Sequence, residues 1–249
     1  MISELLHPPH KASTVLVKQS PLFASLPAEL LTEMAEHFQL EQWSAQTDIH
    51  PDRLLKQFFY ILDGEIEYKR SNPDTGREIT LEMLYPGDSF DIVCLLDNQP
   101  HDVMISTLGT VRLISLPIDL MRKWIWTYPE LNKQLLPYLA QKIRFHENQT
   151  TNLALYDIPT RLSRIILDHL NKIRVYRGAK EDAHTDHLIN GLSDDVLARM
   201  AGSVRQVINK QLQQWKSQGI LSKKRNQIMI NDLAALYEKA KTTQHYFFR

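Results

Sequence analysis

Four side chains in the last quarter of this 249-residue chain, Arg205, Gln206, Asn209 and Lys210, carry its most direct chemical content. Arginine and lysine bring the charge that phosphates require. Guanidinium and carboxamide groups present flat pairs of hydrogen-bonding atoms that match base edges. Their spacing puts all four on one face of a helix. A second cluster, Lys223, Lys224 and Arg225, adds three cations in a row. This is the chemistry of holding a polyanion and reading it.

Such groups must be held by elements around them, and Gly191 to Ile230 supplies them. Ser193 is a helix N-cap, with Asp194 and Asp195 placing negative charge in the first turn. Val196, Leu197 and Met200 give that helix an apolar face, and Ala198 is small where a second helix must cross. Gly202 suits a left-handed inter-helix turn. Ser203 is expected to cap the next helix and to join the contacting set. In that helix Val204, Ile208, Leu212 and Trp215 recur at core spacing, opposite the four polar readers. Gly219 ends it. Ile220–Ser222, a basic turn over residues 223–226 and Gln227–Ile230 read as a two-stranded wing. Each feature alone fits a plain helical hairpin. In this order they spell a winged helix-turn-helix whose partner is double-stranded DNA.

Charge agrees. Residues 191–249 carry 10 Lys/Arg against 4 Asp/Glu, whereas residues 1–190 carry 19 against 25, so the net charge of zero hides one basic end. Hydrophobic content of 43% supports packed cores. No apolar run approaches a membrane span, so no membrane partner is expected. The N-terminus lacks a signal-peptide layout, and a single cysteine, Cys94, forms no internal disulfide, so the expected compartment is the cytoplasm. There is no nucleophile–base pair, zinc signature or nucleotide loop: no catalytic residue, no metal, no cofactor and no enzyme are expected.

The remaining chain divides into an extension over residues 1–19, a strand-rich domain over 20–128, a long helix over 129–156 and the reading domain over 157–249. The second part opens on a helix over residues 27–38. Alternating strands follow, punctuated by Asp63-Gly64, residues 72–76, Pro86-Gly87-Asp88 and Gly109, the pattern of a small barrel or sandwich. In the long helix Leu136, Leu139, Ile143, His146, Thr150 and Leu153 step by three and four, a narrow seam that fits a parallel homodimer. Asp157 caps the next helix, with Pro159 in its first turn. Tyr176 to His187 reads as a polar loop.

The order of parts, with the segments SPLFASLPAELL, FFYILDGEIEYKR, GREITLEMLYPGDSF and LYDIPTRLSRIIL, resembles the CRP/FNR family of bacterial transcription regulators. The resemblance implies an α+β fold: an N-terminal β-roll (a cyclic-nucleotide-binding-like jelly roll), a long dimerisation helix and a C-terminal winged helix-turn-helix. It implies a homodimer on a palindromic operator, half-sites ~10 bp apart, and RNA polymerase as a further partner. It places Arg205, Gln206 and Lys210 among the family's base- and phosphate-contacting positions.

The effector positions depart from the family. The Gly-Glu pair that serves the ribose of cyclic AMP becomes Asp91-Ile92. The Arg-Ser pair that serves its phosphate becomes Asp102-Val103. The Thr-Ser pair of the dimer helix becomes His146-Glu147. Aspartate for arginine repels phosphate, and no nearby Lys or Arg is expected to compensate. Control by cyclic AMP is therefore not expected. Cys94, His101, Asp102 and His146 leave open a haem, metal or thiol sensor, or no effector at all. His184 and His187 with Glu181, Asp182 and Asp186 stand in a polar loop and are not expected to hold an ion. The competing reading of the whole chain is a sensory module whose winged helix serves protein contacts.

Overall fold

The turn punctuation of residues 39–117 becomes two antiparallel sheets in the computed structural model, which describes residues 4–6, 20, 22–177, 187–224 and 226–241. The chain packs as two units, residues 1–70 with 82–146, and residues 71–81 with 147–249.

The first unit is a β-roll. Its strands are β1 (Glu4–Leu6), β2 (Gln39–Trp43), β3 (Asp48–Ile49), β4 (Gln57–Asp63), β5 (Ile66–Ser71), β6 (Glu78–Leu84), β7 (Ser89–Phe90), β8 (Met104–Thr107) and β9 (Val111–Pro117), with Ser71 and the first half of β6, up to Leu81, counted in the second unit. One sheet runs β1-β2-β9-β4-β7 and the other β3-β8-β5-β6. The helices are α1 (Ala28–Ala35), α2 (Pro51–Leu54), α3 (Ile92–Asp97), α4 (Ile118–Thr127) and most of α5 (Pro129–Leu155). The roll closes on aromatic side chains: Phe59 stacks on Phe90 with centroids 5.0 Å apart, and Trp43 meets both edge-on. Glu41 is buried beside them and is satisfied by Arg53, Ser115 and Trp43. Gly64 takes a positive φ where a Cβ would lie 2.5 Å from the Thr110 carbonyl, so the β4–β5 turn requires glycine.

Glu4 to Leu6 corrects the expected N-terminal extension. They add a strand to the sheet edge, pairing Leu5 with Glu41. Three residues are too short a run for alternation to register.

The second unit is helical with a small sheet. The end of α5 leads into α6 (Ile158–Arg177), then β10 (Leu188–Asn190), α7 (Asp194–Met200), α8 (Arg205–Ser217), β11 (Leu221–Lys224), β12 (Gln227–Ile230) and α9 (Leu233–Lys239). Asp157 accepts from the Thr160 N–H at 3.0 Å, the cap read from the sequence. Arg164 ties the unit together. It donates to Asn152 and to the Ala240 carbonyl, and its guanidinium lies 3.8 Å from the Tyr156 ring centroid.

Two expectations change here. Tyr176 and Arg177 belong to α6, which runs to Arg177, and residues 178–186 lie outside the described residues. The wing has three strands in the order β10-β12-β11, the third supplied by Leu188 to Asn190 ahead of the motif.

Candidate functional site

The reading head is assembled by caps and a tight turn. Ser193 accepts from the Val196 N–H and starts α7. Val196, Leu197, Ala198 and Ala201 are buried, and α8 crosses them with Ile208, Leu212 and Trp215. Gly202 has φ +60°, and a Cβ there would lie 2.9 Å from Cδ2 of Leu153. The turn is thus pressed against the end of α5. Within the same unit, Arg77 donates to the Gly202 carbonyl and Glu78 pairs with Arg199.

Arg205, Gln206, Asn209 and Lys210 are all exposed on one face of α8, as their spacing requires. Lys224 is exposed on β11. Arg225 lies outside the described residues. Ser203 does not cap α8. The N-cap is Val204, without a side-chain hydrogen bond. Val204 also leaves the core stripe assigned to it, standing 53% exposed. The helix begins one residue later than its apolar spacing suggests, so Val204 precedes the buried face.

Two acidic residues organise the basic ones, which their reading as first-turn charges did not show. Asp195 accepts from Arg205 at 3.2 Å, and Asp194 accepts from Asn209 at 3.0 Å and pairs with Lys223. Lys223 is not a free cation for phosphate. Its side chain is 14% exposed, and burial draws its pKa below the ordinary lysine value, with the Asp194 carboxylate as its partner. Only the fold brings residues 29 positions apart together, and no local pattern signals that.

In the β-roll, the residues aligned with an effector pocket separate. Asp91, Cys94 and His101 come together with Tyr68. Asp91 caps α3 by accepting from the Val93 N–H. His101 Nδ1 lies 2.7 Å from the same carboxylate and 3.0 Å from the Tyr68 hydroxyl, and the Cys94 thiol donates to Asp91 at 3.3 Å. Burial would raise the Asp91 carboxyl, but hydrogen bonds from His101, Tyr68 and Cys94 outweigh it and hold its pKa below the ordinary range. Burial, with the Asp91 charge, pushes the Cys94 thiol up to about 12. Among the described residues no group of three or more His, Cys, Asp or Glu is placed to hold a metal ion.

Ile92 and Val103 are buried, Asp102 is exposed, and His146 faces Glu82 at 3.9 Å. Glu147 is exposed on the part of α5 that belongs to the second unit. A cation does stand beside Asp102, contrary to expectation: Arg70 donates to its carbonyl at 2.7 Å across the β5–β8 pairing. Another cation of the β-roll stands at two other carboxylates. Lys142 of α5 reaches Glu82 at 2.6 Å and Asp88 at 2.8 Å, and those carboxylates outweigh burial and keep it protonated. The Tyr138 hydroxyl accepts from the Ser89 N–H just below it.

Among the described residues no helix is long and apolar enough to cross a membrane. Residues 160–239 match the family model of a Crp-like helix-turn-helix domain. The chain is 27% identical over 185 residues to the CRP-like cAMP-activated global transcriptional regulator of Mycobacterium tuberculosis, covering 74% of this chain and 80% of that one. It is 24% identical over 229 residues to the global nitrogen regulator of Synechocystis, covering 90% and 97%. Among solved structures, a transcriptional regulator of the CRP/FNR family from Eubacterium rectale superposes with a TM-score of 0.68 at 16% identity, covering 89% and 98%. The c-di-GMP responsive global regulator CLP of Xanthomonas campestris superposes at 0.67 and 16%, covering 82% and 99%. Residues 160–239 thus form a Crp-like helix-turn-helix domain, and the β-roll, long helix and winged reading head together are similar to the CRP/FNR family of transcription regulators.

Proposed function

We propose that the protein regulates transcription as a homodimer on a two-fold symmetric operator, without control by cyclic AMP. The observation that carries this is the exposed face of α8, with Arg205, Gln206, Asn209 and Lys210 aligned and the hydrophobic side buried. Residues 20–128 act as the sensor, 129–156 as the pairing helix and 157–249 as the reader. Leu136 and Ile143 support pairing: they stand 65% and 60% exposed on α5, in register with half-buried Leu139, exposed His146 and Thr150, and Leu153. A dimer of this kind acts in the cytoplasm by recruiting or blocking RNA polymerase beside its operator.

The reading without cyclic AMP rests on the Asp91 cluster. A phosphate entering beside α3 would meet a buried carboxylate that already occupies the Val93 N–H, His101 and Tyr68. Sensing by a thiol is disfavoured for the same reason, since the Cys94 thiol is buried and stays protonated.

Electrophoretic shift of the full chain on promoter DNA tests the main reading. Binding that weakens steeply with salt and survives excess random DNA is expected. Failure to prefer any sequence would overturn it in favour of a sensory module with protein contacts. Calorimetric titration with cyclic AMP is expected to give no heat. Micromolar binding would overturn that part alone.

A further inference from the structure

The exposed face of α8 is not uniformly polar. Val204, its N-cap, and Val207, in its first turn, stand 53% and 43% exposed and are held close by the Val207 N–H donating to the Val204 carbonyl at 3.0 Å, flanked by Arg205, Gln206 and Lys210. Neither position suits a valine for reasons internal to the fold. An N-cap favours Ser, Thr, Asp or Asn, and Val204 makes no side-chain bond there, although Ser203 stands one residue away. Val207 is β-branched and exposed in a helix, where its stiffness is a cost without burial to offset it.

The end of a reading helix that enters the major groove meets base edges, and those edges carry one apolar group, the thymine C5-methyl. We infer that Val204 and Val207 determine specificity by packing on thymine methyls, so that each half-site carries thymine where the N-terminus of α8 lies. This rests on the reading of the chain as an operator-binding regulator. Lys210 beside the valines holds a phosphate of the same groove while Arg205 reaches a base edge, which brings the two valines to the bases.

The test separates the two claims. The full-length protein is first used to enrich a site from a randomised duplex pool. The enriched duplex is then made with each thymine replaced in turn by uracil, which deletes the methyl and nothing else. At one or two positions per half-site uracil is expected to weaken binding roughly fourfold, the effect of one buried carbon group. In V204S or V207A the penalty at the matched position is expected to vanish. V204S supplies a favoured cap and V207A truncates an exposed side chain, so both fold. A half-site without thymine, or uracil tolerated everywhere by the unmodified protein, or a penalty that persists in both variants, overturns the inference and leaves the regulator standing. If no sequence is enriched, the regulator reading falls and takes this inference with it.

Discussion

Arg205 is the side chain whose loss is most informative. It is exposed, it lies at the start of α8, and its ion pair with Asp195 is a surface pair of little net strength. Releasing it to a base is therefore cheap. Arg205→Ala is expected to cost ~1–3 kcal/mol on the specific site and little on random DNA. Quantitative shift assays on both duplexes check this, and equal losses would remove its assignment as a reader. Lys224→Ala, at an exposed wing position, is expected to weaken both duplexes alike. Asp195→Asn works the other way: it deletes a negative charge from the reading face, so random DNA is expected to bind several-fold more tightly and the preference for the specific site to shrink. Cys94 gives a residue-scale check on the β-roll. Its thiol is held up to about 12, against an ordinary value of 9.0. In the native protein its alkylation is expected to stay slow through pH 9 and to accelerate only as the pH approaches 12. Added denaturant is expected to restore labelling at pH 9.

At the scale of elements, the sequence was legible where periodicity and capping act locally. The buried face of α8 from Ile208 to Trp215, the Ser193 and Asp157 caps and the span of α5 all follow from spacing of three and four residues. What escaped depended on pairing across the chain. β1 is a strand because β2 offers it an edge, and β10 is a strand because β12 does. Val204 shows a subtler limit. Its spacing to Ile208 fits the core stripe, but the stripe begins only where the helix does, and the start is fixed by the Gly202 turn. The candidate site was half legible for the same reason. The proposed readers share one helix and show in its spacing, whereas the Asp194–Lys223 pair and the cluster of Tyr68, Asp91, Cys94 and His101 join separate elements. The exposed stripe of α5 supplies the element-scale prediction. Ile143→Asp puts like charges into a two-fold seam, so sedimentation is expected to show monomers, with no loss of thermal stability in the isolated chain because the side chain is already exposed.

At the scale of the whole molecule, a neutral chain divides into an acidic stretch and a basic one, and the basic stretch carries the helix-turn-helix domain. The lysines and arginines of the reading domain overstate its grip, however, because Asp195 and Asp194 set negative charge beside Arg205 and Lys223. The slope of log affinity against log salt is expected to be shallower than the cation count suggests, and to steepen by about one in Asp195→Asn. Titrations between about 50 and 200 mM salt would measure it. The same two aspartates bear on how the protein finds its site. A head that displaces few counterions on random DNA is held there weakly and leaves quickly, so each wrong encounter is brief. Dwell time grows only where base contacts accumulate, and the search is shortened by residues that touch no base.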